Sequence, residues 1–168
     1  MNISIILDIA AFVCFAALIG AAVSDFRTRE IADRYPIGLG LGFLVLAPFS
    51  GLGLAEIGAH ALAGLAMLGL GFALFSLGWM GGADGKLAAA CALLLGPATT
   101  PYFLALTAIF GGALALATLI FRAVPLSQGL RGARWARLLH APGRGIPYGV
   151  AVSAAAIATL PRAPWLGG

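Results

Sequence analysis

Six carboxylates, Asp8, Asp25, Glu30, Asp33, Glu56 and Asp84, are the residues of this 168-residue chain whose placement could carry chemistry. An acid beside a long apolar run is costly unless it faces protein, water or a functional cavity, so each position is informative. Asp8 and Glu56 fall where they can reach an outer interface. Asp25 follows the first apolar run, in Ser24-Asp25-Phe26-Arg27-Thr28-Arg29-Glu30-Ile31, and Asp84 sits in Gly81-Gly82-Ala83-Asp84-Gly85-Lys86, ahead of another apolar run. Two carboxyl groups brought together from separate helices would share a proton, because like charges close together do not both ionise easily. Such a pair can divide the work on one water molecule, one member taking its proton while the other protonates or hydrogen-bonds a scissile carbonyl. On spacing alone the commoner reading is a solvated or helix-capping acid, and Asp84 would suit the N-terminus of the helix that follows it.

The elements that must position these acids are apolar. The chain is 61% hydrophobic and only 10% charged, with a mean hydropathy of +1.03, which places it in the membrane class. Ala, Leu and Gly dominate the apolar runs, which favours helices over the alternating strands of a barrel. The expected fold is therefore all-α, a single domain over 1–168 with six transmembrane helices. They are read as Ile3–Val23, Pro36–Phe49, Ile57–Met80, Leu87 to just before Pro97, Tyr102–Phe121 and Ile146–Leu160. The second and fourth are short for a hydrocarbon core of roughly 30 Å. The first run has no Lys or Arg before Arg27, so it reads as an uncleaved helix rather than a signal peptide.

Basic residues set the expected orientation. Segments 24–35, 81–86 and 122–145 hold nine of the ten, including Arg27, Arg29, Arg34, Lys86, Arg122, Arg131, Arg134, Arg137 and Arg144, and only Arg162 lies elsewhere. An amino terminus outside the cytoplasm makes all three segments cytoplasmic. A short helix over Leu130–His140 could lie on anionic lipid, although Leu130 and Leu138 interrupt its basic sector, and a solvated loop is an equal reading. Glycines within spans, such as Gly64, Gly69, Gly71, Gly111 and Gly112, point to close helix packing. Cys14 and Cys91 form no CxxC pair and read as small apolar residues. His60 and His140 have no acidic or thiol neighbours. No metal site and no cofactor are expected, and membrane lipid rather than nucleic acid is the expected surrounding.

The segment Gly81-Gly82-Ala83-Asp84-Gly85-Lys86-Leu87 resembles the Gly-x-Gly-Asp motif, commonly followed by x-Lys-Leu, of the type IV prepilin peptidase family of membrane aspartic proteases. Asp25, with a basic stretch and Ile31 behind it, resembles that family's first catalytic aspartate and the Ile-Pro-Asn that follows. Gly145-Ile146-Pro147-Tyr148-Gly149-Val150-Ala151 looks like the Pro-Tyr-Gly segment opening the last helix in the small members of tight-adherence pilus systems.

The resemblance implies Asp25 and Asp84 as the catalytic pair, Gly81, Gly82, Ala83 and Lys86 as supporting motif residues, and Pro147 and Tyr148 as a segment near the substrate. It also implies a prepilin or pseudopilin substrate, whose short basic leader is removed at the cytoplasmic face of a bacterial inner membrane. Ala83 departs from the family's usual glycine, and Ala32 and Asp33 replace Pro and Asn. Asp33 is thus a spare carboxylate that could be mistaken for the catalytic one. The loop 27–35 is short and has no cysteine, so the added methyltransferase region of larger members is not expected. Two rival readings remain: a non-catalytic subunit of a pilus or secretion assembly, and a small transporter component. The second would place polar groups at mid-bilayer on repeated halves.

Overall fold

A computed structural model describes residues 3–141 and 145–166; Arg144 lies outside them. Among the described residues the chain is helical and has no strand. Its helices are α1 (Ile3–Thr28), α2 (Arg34–Leu46), α3 (Leu54–Ser76), α4 (Gly82–Ala123), α5 (Arg134–His140) and α6 (Tyr148–Thr159). Three stretches, Ile5–Thr28, Leu54–Ser76 and Gly82–Ala123, are long and apolar enough to cross a membrane, and the apolar segment 34–49 is shorter. This is a membrane protein. Each of the six apolar runs read from the sequence contains a helix, the fourth and fifth as the two arms of α4, but α3 ends at Ser76 rather than Met80, α6 begins at Tyr148 rather than Ile146, and three of the helices are long and apolar enough to cross a membrane. The expected helix over Leu130–His140 is shorter than read: Gln128–Leu130 is a 3-10 turn, and α5 begins at Arg134.

Each helix buries a narrow stripe and leaves large apolar side chains facing outward. In α1 the buried residues are Ala10, Cys14, Leu18, Ala21 and Asp25, steps of three and four that stay on one helical face, while Ile9, Phe12, Val13, Ile19 and Val23 are exposed. Asp25 therefore continues the inward stripe. The arm 82–95 of α4 occupies the centre, with Leu87 through Ala92 all buried. It packs against α3 and α6, and α6 also packs against α1. Glycine permits the closest crossing: a Cβ on Gly71 would lie 2.9 Å from the Cα of Gly85.

The helix α4 is broken at Gly96, where φ 72° and ψ 172° reverse the chain ahead of Pro97. Residues on either side of the break, Ala88 on one arm and Leu104 and Thr107 on the other, line one cavity, so the arms run side by side. Pro97 has no N–H to offer the carbonyl of Leu93, and the break withdraws the next amide from Leu94. Two distant side chains replace them. His60 Nδ1 bonds the Leu93 carbonyl at 2.8 Å, and Trp165 Nε1 donates to the Leu94 carbonyl at 2.8 Å. A Cβ at residue 96 would collide with the His60 ring, so glycine is needed there for space as well as for its positive φ. His60→Ala should lower thermal stability in detergent by about 2 kcal/mol, the cost of a buried carbonyl left without its donor.

The connecting segments 24–35, 81–86 and 122–141 meet at one end of the bundle. Lys86 Nζ reaches Asp33 Oδ1 at 2.8 Å, and the Trp135 ring of α5 stacks on Phe26 and Phe121 with centroids 5.5 and 6.5 Å apart. Leu52, Glu56, Pro97 and Pro164 enclose a small cavity at the other end.

Candidate active site

The site forms where three helix ends converge. At the end of α1, Asp25 is only 5% exposed. One turn later the backbone at Arg29 adopts φ 62°, with its N–H donating to the Asp25 carbonyl at 2.9 Å. The Ser24 hydroxyl donates to the Glu30 carbonyl at 2.7 Å, and the Thr28 hydroxyl, which donates to the Ser24 carbonyl at 2.8 Å, lies 3.3 Å from the same oxygen. This turn brings the buried Ile31 back against α6, where its Cδ1 touches the space beside Gly149.

At the start of α4, Gly81 is extended and caps the helix, and Asp84 lies in the first turn, half-buried. Its Oδ2 sits 2.8 Å from where a Gly81 Cβ would be, so a side chain at 81 would displace the carboxyl. The third contributor is α6, with Pro147 buried at its cap position and Gly149 in its first turn. First-turn amides lie at the positive end of the helix dipole, and the Val150 amide also donates to the Pro147 carbonyl at 3.1 Å. The Gly149 amide interacts with both Asp25 and Asp84, the Val150 amide with Asp25, and the Gly81 amide with Asp84. The two carboxyl groups also lie within electrostatic range of each other. Arg29 adds a positive charge that acts on Asp25.

Residues 12–116 match the sequence profile of the type IV leader peptidase family. This chain belongs to that family. No curated protein and no solved structure gave a match. The matched stretch contains Asp25 and Asp84, whereas Gly149 of α6 lies beyond it.

The other residues expected near the site take different places. Lys86 points to Asp33 in an ion pair whose side chains are 53% and 58% exposed, so the pair ties α4 to α2 and contributes at most about 1 kcal/mol. Ala83 has helical backbone, so this position does not call for the conformational freedom of glycine. With Gly82 it lines a cleft of about 350 Å³ beside Phe75 and Gly85. Tyr148 lays its ring on Gly111, where a Cβ would be 2.7 Å from its Cε2. It wedges α6 against the second arm of α4. Among the described residues no group of three His, Cys, Asp or Glu could hold a metal ion.

Proposed function

We propose that this protein is an aspartic endopeptidase of the bacterial inner membrane that removes the short basic leader of a prepilin or pseudopilin, with Asp25 and Asp84 acting as one unit. The observation that carries this reading is the convergence of the two buried or half-buried acids, at the ends of α1 and α4, beside the first turn of α6 at Gly149. Asp25 Oδ2 is buried and accepts no hydrogen bond from the described residues, which leaves it able to take one from a water.

The chemistry needs one ionised and one protonated carboxyl. The carboxylate takes a proton from water as the water oxygen bonds to the scissile carbonyl carbon, and the acid gives its proton to the carbonyl oxygen. Collapse of the tetrahedral intermediate breaks the C–N bond: the leaving amine takes a proton from the carboxyl that first acted as base, and a hydroxyl of the intermediate returns its proton to the other carboxyl as the product carbonyl forms. Neither a metal nor a cofactor takes part in this scheme. The scissile peptide must leave its helical hydrogen bonding to be attacked, and a site at the membrane edge supplies water and space for a charged leader. The arm 82–95 rises only about 20 Å at about 1.5 Å per residue, so water can approach its ends without crossing the full core.

Co-expression with a prepilin bearing its intact leader tests the activity. The expected result is a shortened product that is absent without this chain, whereas a non-catalytic assembly subunit would leave the leader in place. The same reading proposes six crossings, an external amino terminus and a cytoplasmic site. Single cysteines introduced at positions 28 and 132 should both react with an impermeant thiol reagent only from the cytoplasmic side. Labelling from opposite sides would rule out this topology.

A further inference from the structure

A cavity of about 210 Å³ lies between α3, both arms of α4 and α6. Its lining includes a neighbour of each site residue on α4 and α6: Met80 precedes Gly81, Ala88 follows Asp84 by one helical turn, and Tyr148 precedes Gly149. Ala88 and Val152 are each about a turn further into their helices than Asp84 and Gly149, so the cavity lies on the membrane side of the carboxyl pair. Phe103, Thr107 and Val152 in its lining are buried, whereas Leu70, Leu104 and Ala108 are exposed on α3 and the second arm of α4. The cavity is therefore reached sideways, between those two elements.

Thr107 brings a hydroxyl into this largely apolar lining. It is 6% exposed, and its Oγ1 has no hydrogen-bond partner among the described residues. Elsewhere in α4 the hydroxyls of Thr100 and Thr118 donate to carbonyls one turn back, those of Gly96 and Leu114, at 2.7 and 2.8 Å. Thr107 departs from that habit and leaves a buried donor unsatisfied, which is unfavourable unless an acceptor comes from elsewhere. Valine has the same shape without that cost, so folding alone does not ask for threonine here.

The substrate described above supplies both things this cavity lacks. Its charged leader stays in water while its apolar segment continues into the membrane, so the residues just after the scissile bond run toward the cavity. To be cut, that stretch must leave its helix, and carbonyls that lose their helical amides need other donors. An extended chain advances about 3.3 Å per residue and one helical turn spans about 5.4 Å, so the first three residues past the bond are within reach. We propose that the cavity is a subsite for an apolar side chain among those three residues, and that the Thr107 hydroxyl donates to a substrate carbonyl freed by the unwinding. This rests on the leader-peptidase reading given above.

The test measures cleavage of prepilins that carry either Leu or Ala at the first, second or third position after the scissile bond. At one of the three, wild type should prefer Leu by about tenfold, the discrimination an apolar pocket gives for a few methylenes. Ala108→Leu, which puts an isobutyl group at the exposed edge of the cavity, should lower that preference about tenfold. Ala105→Leu, exposed on the same arm but outside the lining, should keep it. Thr107→Val should lose about fivefold in kcat/KM with a melting temperature in detergent equal to or above wild type, since an unsatisfied donor is gone, and Thr107→Ser should restore the rate. A hydroxyl needed only for folding would instead lower melting temperature in Thr107→Val. No preference at any of the three positions, a preference unchanged by Ala108→Leu, or wild-type cleavage by Thr107→Val would each overturn the subsite and leave the leader-peptidase reading standing. Wild type that cleaves no prepilin would overturn both.

Discussion

Asp25→Asn and Asp84→Asn should each reduce leader cleavage by about a thousandfold, the scale of a lost acid–base partner. Asparagine keeps the shape of the carboxyl, so the Gly149 amide retains an acceptor and the helix ends can stay packed, but neither proton transfer can be completed. Groups that act as a unit are not additive: once one carboxyl is gone the other has no partner with which to share a proton. The double variant should therefore be scarcely slower than either single one. Asp33→Asn is the internal control. It breaks an exposed ion pair with Lys86 worth at most about 1 kcal/mol and removes no group from the carboxyl pair, so it should cleave at close to the wild-type rate. Initial rates from a gel-shift assay, normalised to the membrane level of each variant, decide the matter. Full activity in Asp84→Asn would remove the aspartic mechanism. Loss in Asp33→Asn with retention in Asp25→Asn would keep the mechanism and move its first acid.

The acids themselves were legible because their signal is local. Asp25 lies in helical register with Ala10, Cys14, Leu18 and Ala21, a stripe that points inward wherever α1 is placed, and Asp84 follows glycines at the start of an apolar helix. The residues that hold the acids were less legible because their partners are backbone groups far away in sequence. Nothing in the surroundings of His60 or Trp165 announces a carbonyl orphaned by Pro97, yet both are spent on that break. Tyr148 was placed near the substrate by the family resemblance; its contact with Gly111 depends on the rotation of α6 against α4, which local sequence does not determine. Gly149 stood beside it, and a glycine early in an Ala-rich helix was the available sign of close approach. Arg29 gave the opposite sign to its conformation, since arginine does not advertise a left-handed helix end.

Gly149→Ala should be nearly as damaging as loss of an aspartate, through geometry rather than chemistry. The new Cβ would lie 2.9 Å from Asp25 Oδ2 and 3.2 Å from its Cγ, and it would also meet Ile31 Cδ1. The isoleucine tip can rotate aside, but the Asp25 carboxyl is confined between the α6 amides and the end of α1, so relief comes from moving the carboxyl or tilting α6. A misplacement of about 1 Å at a reacting group can lower a rate about a hundredfold, and overpacking of this kind costs about 1–3 kcal/mol of stability. The two consequences separate in the double variant Gly149→Ala/Ile31→Val. Valine lacks the Cδ1 that the new methyl strikes, so the double variant should regain melting temperature relative to Gly149→Ala, with Ile31→Val alone as its baseline. Cleavage should stay low, because the contact with Asp25 remains. Melting in detergent and cleavage rate measured on the same preparations read the two effects independently. A Gly149→Ala protein that cleaves within about threefold of wild type, where about a hundredfold loss is expected, would mean that Asp25 has room to retreat and that the shared amide is not what aligns the pair.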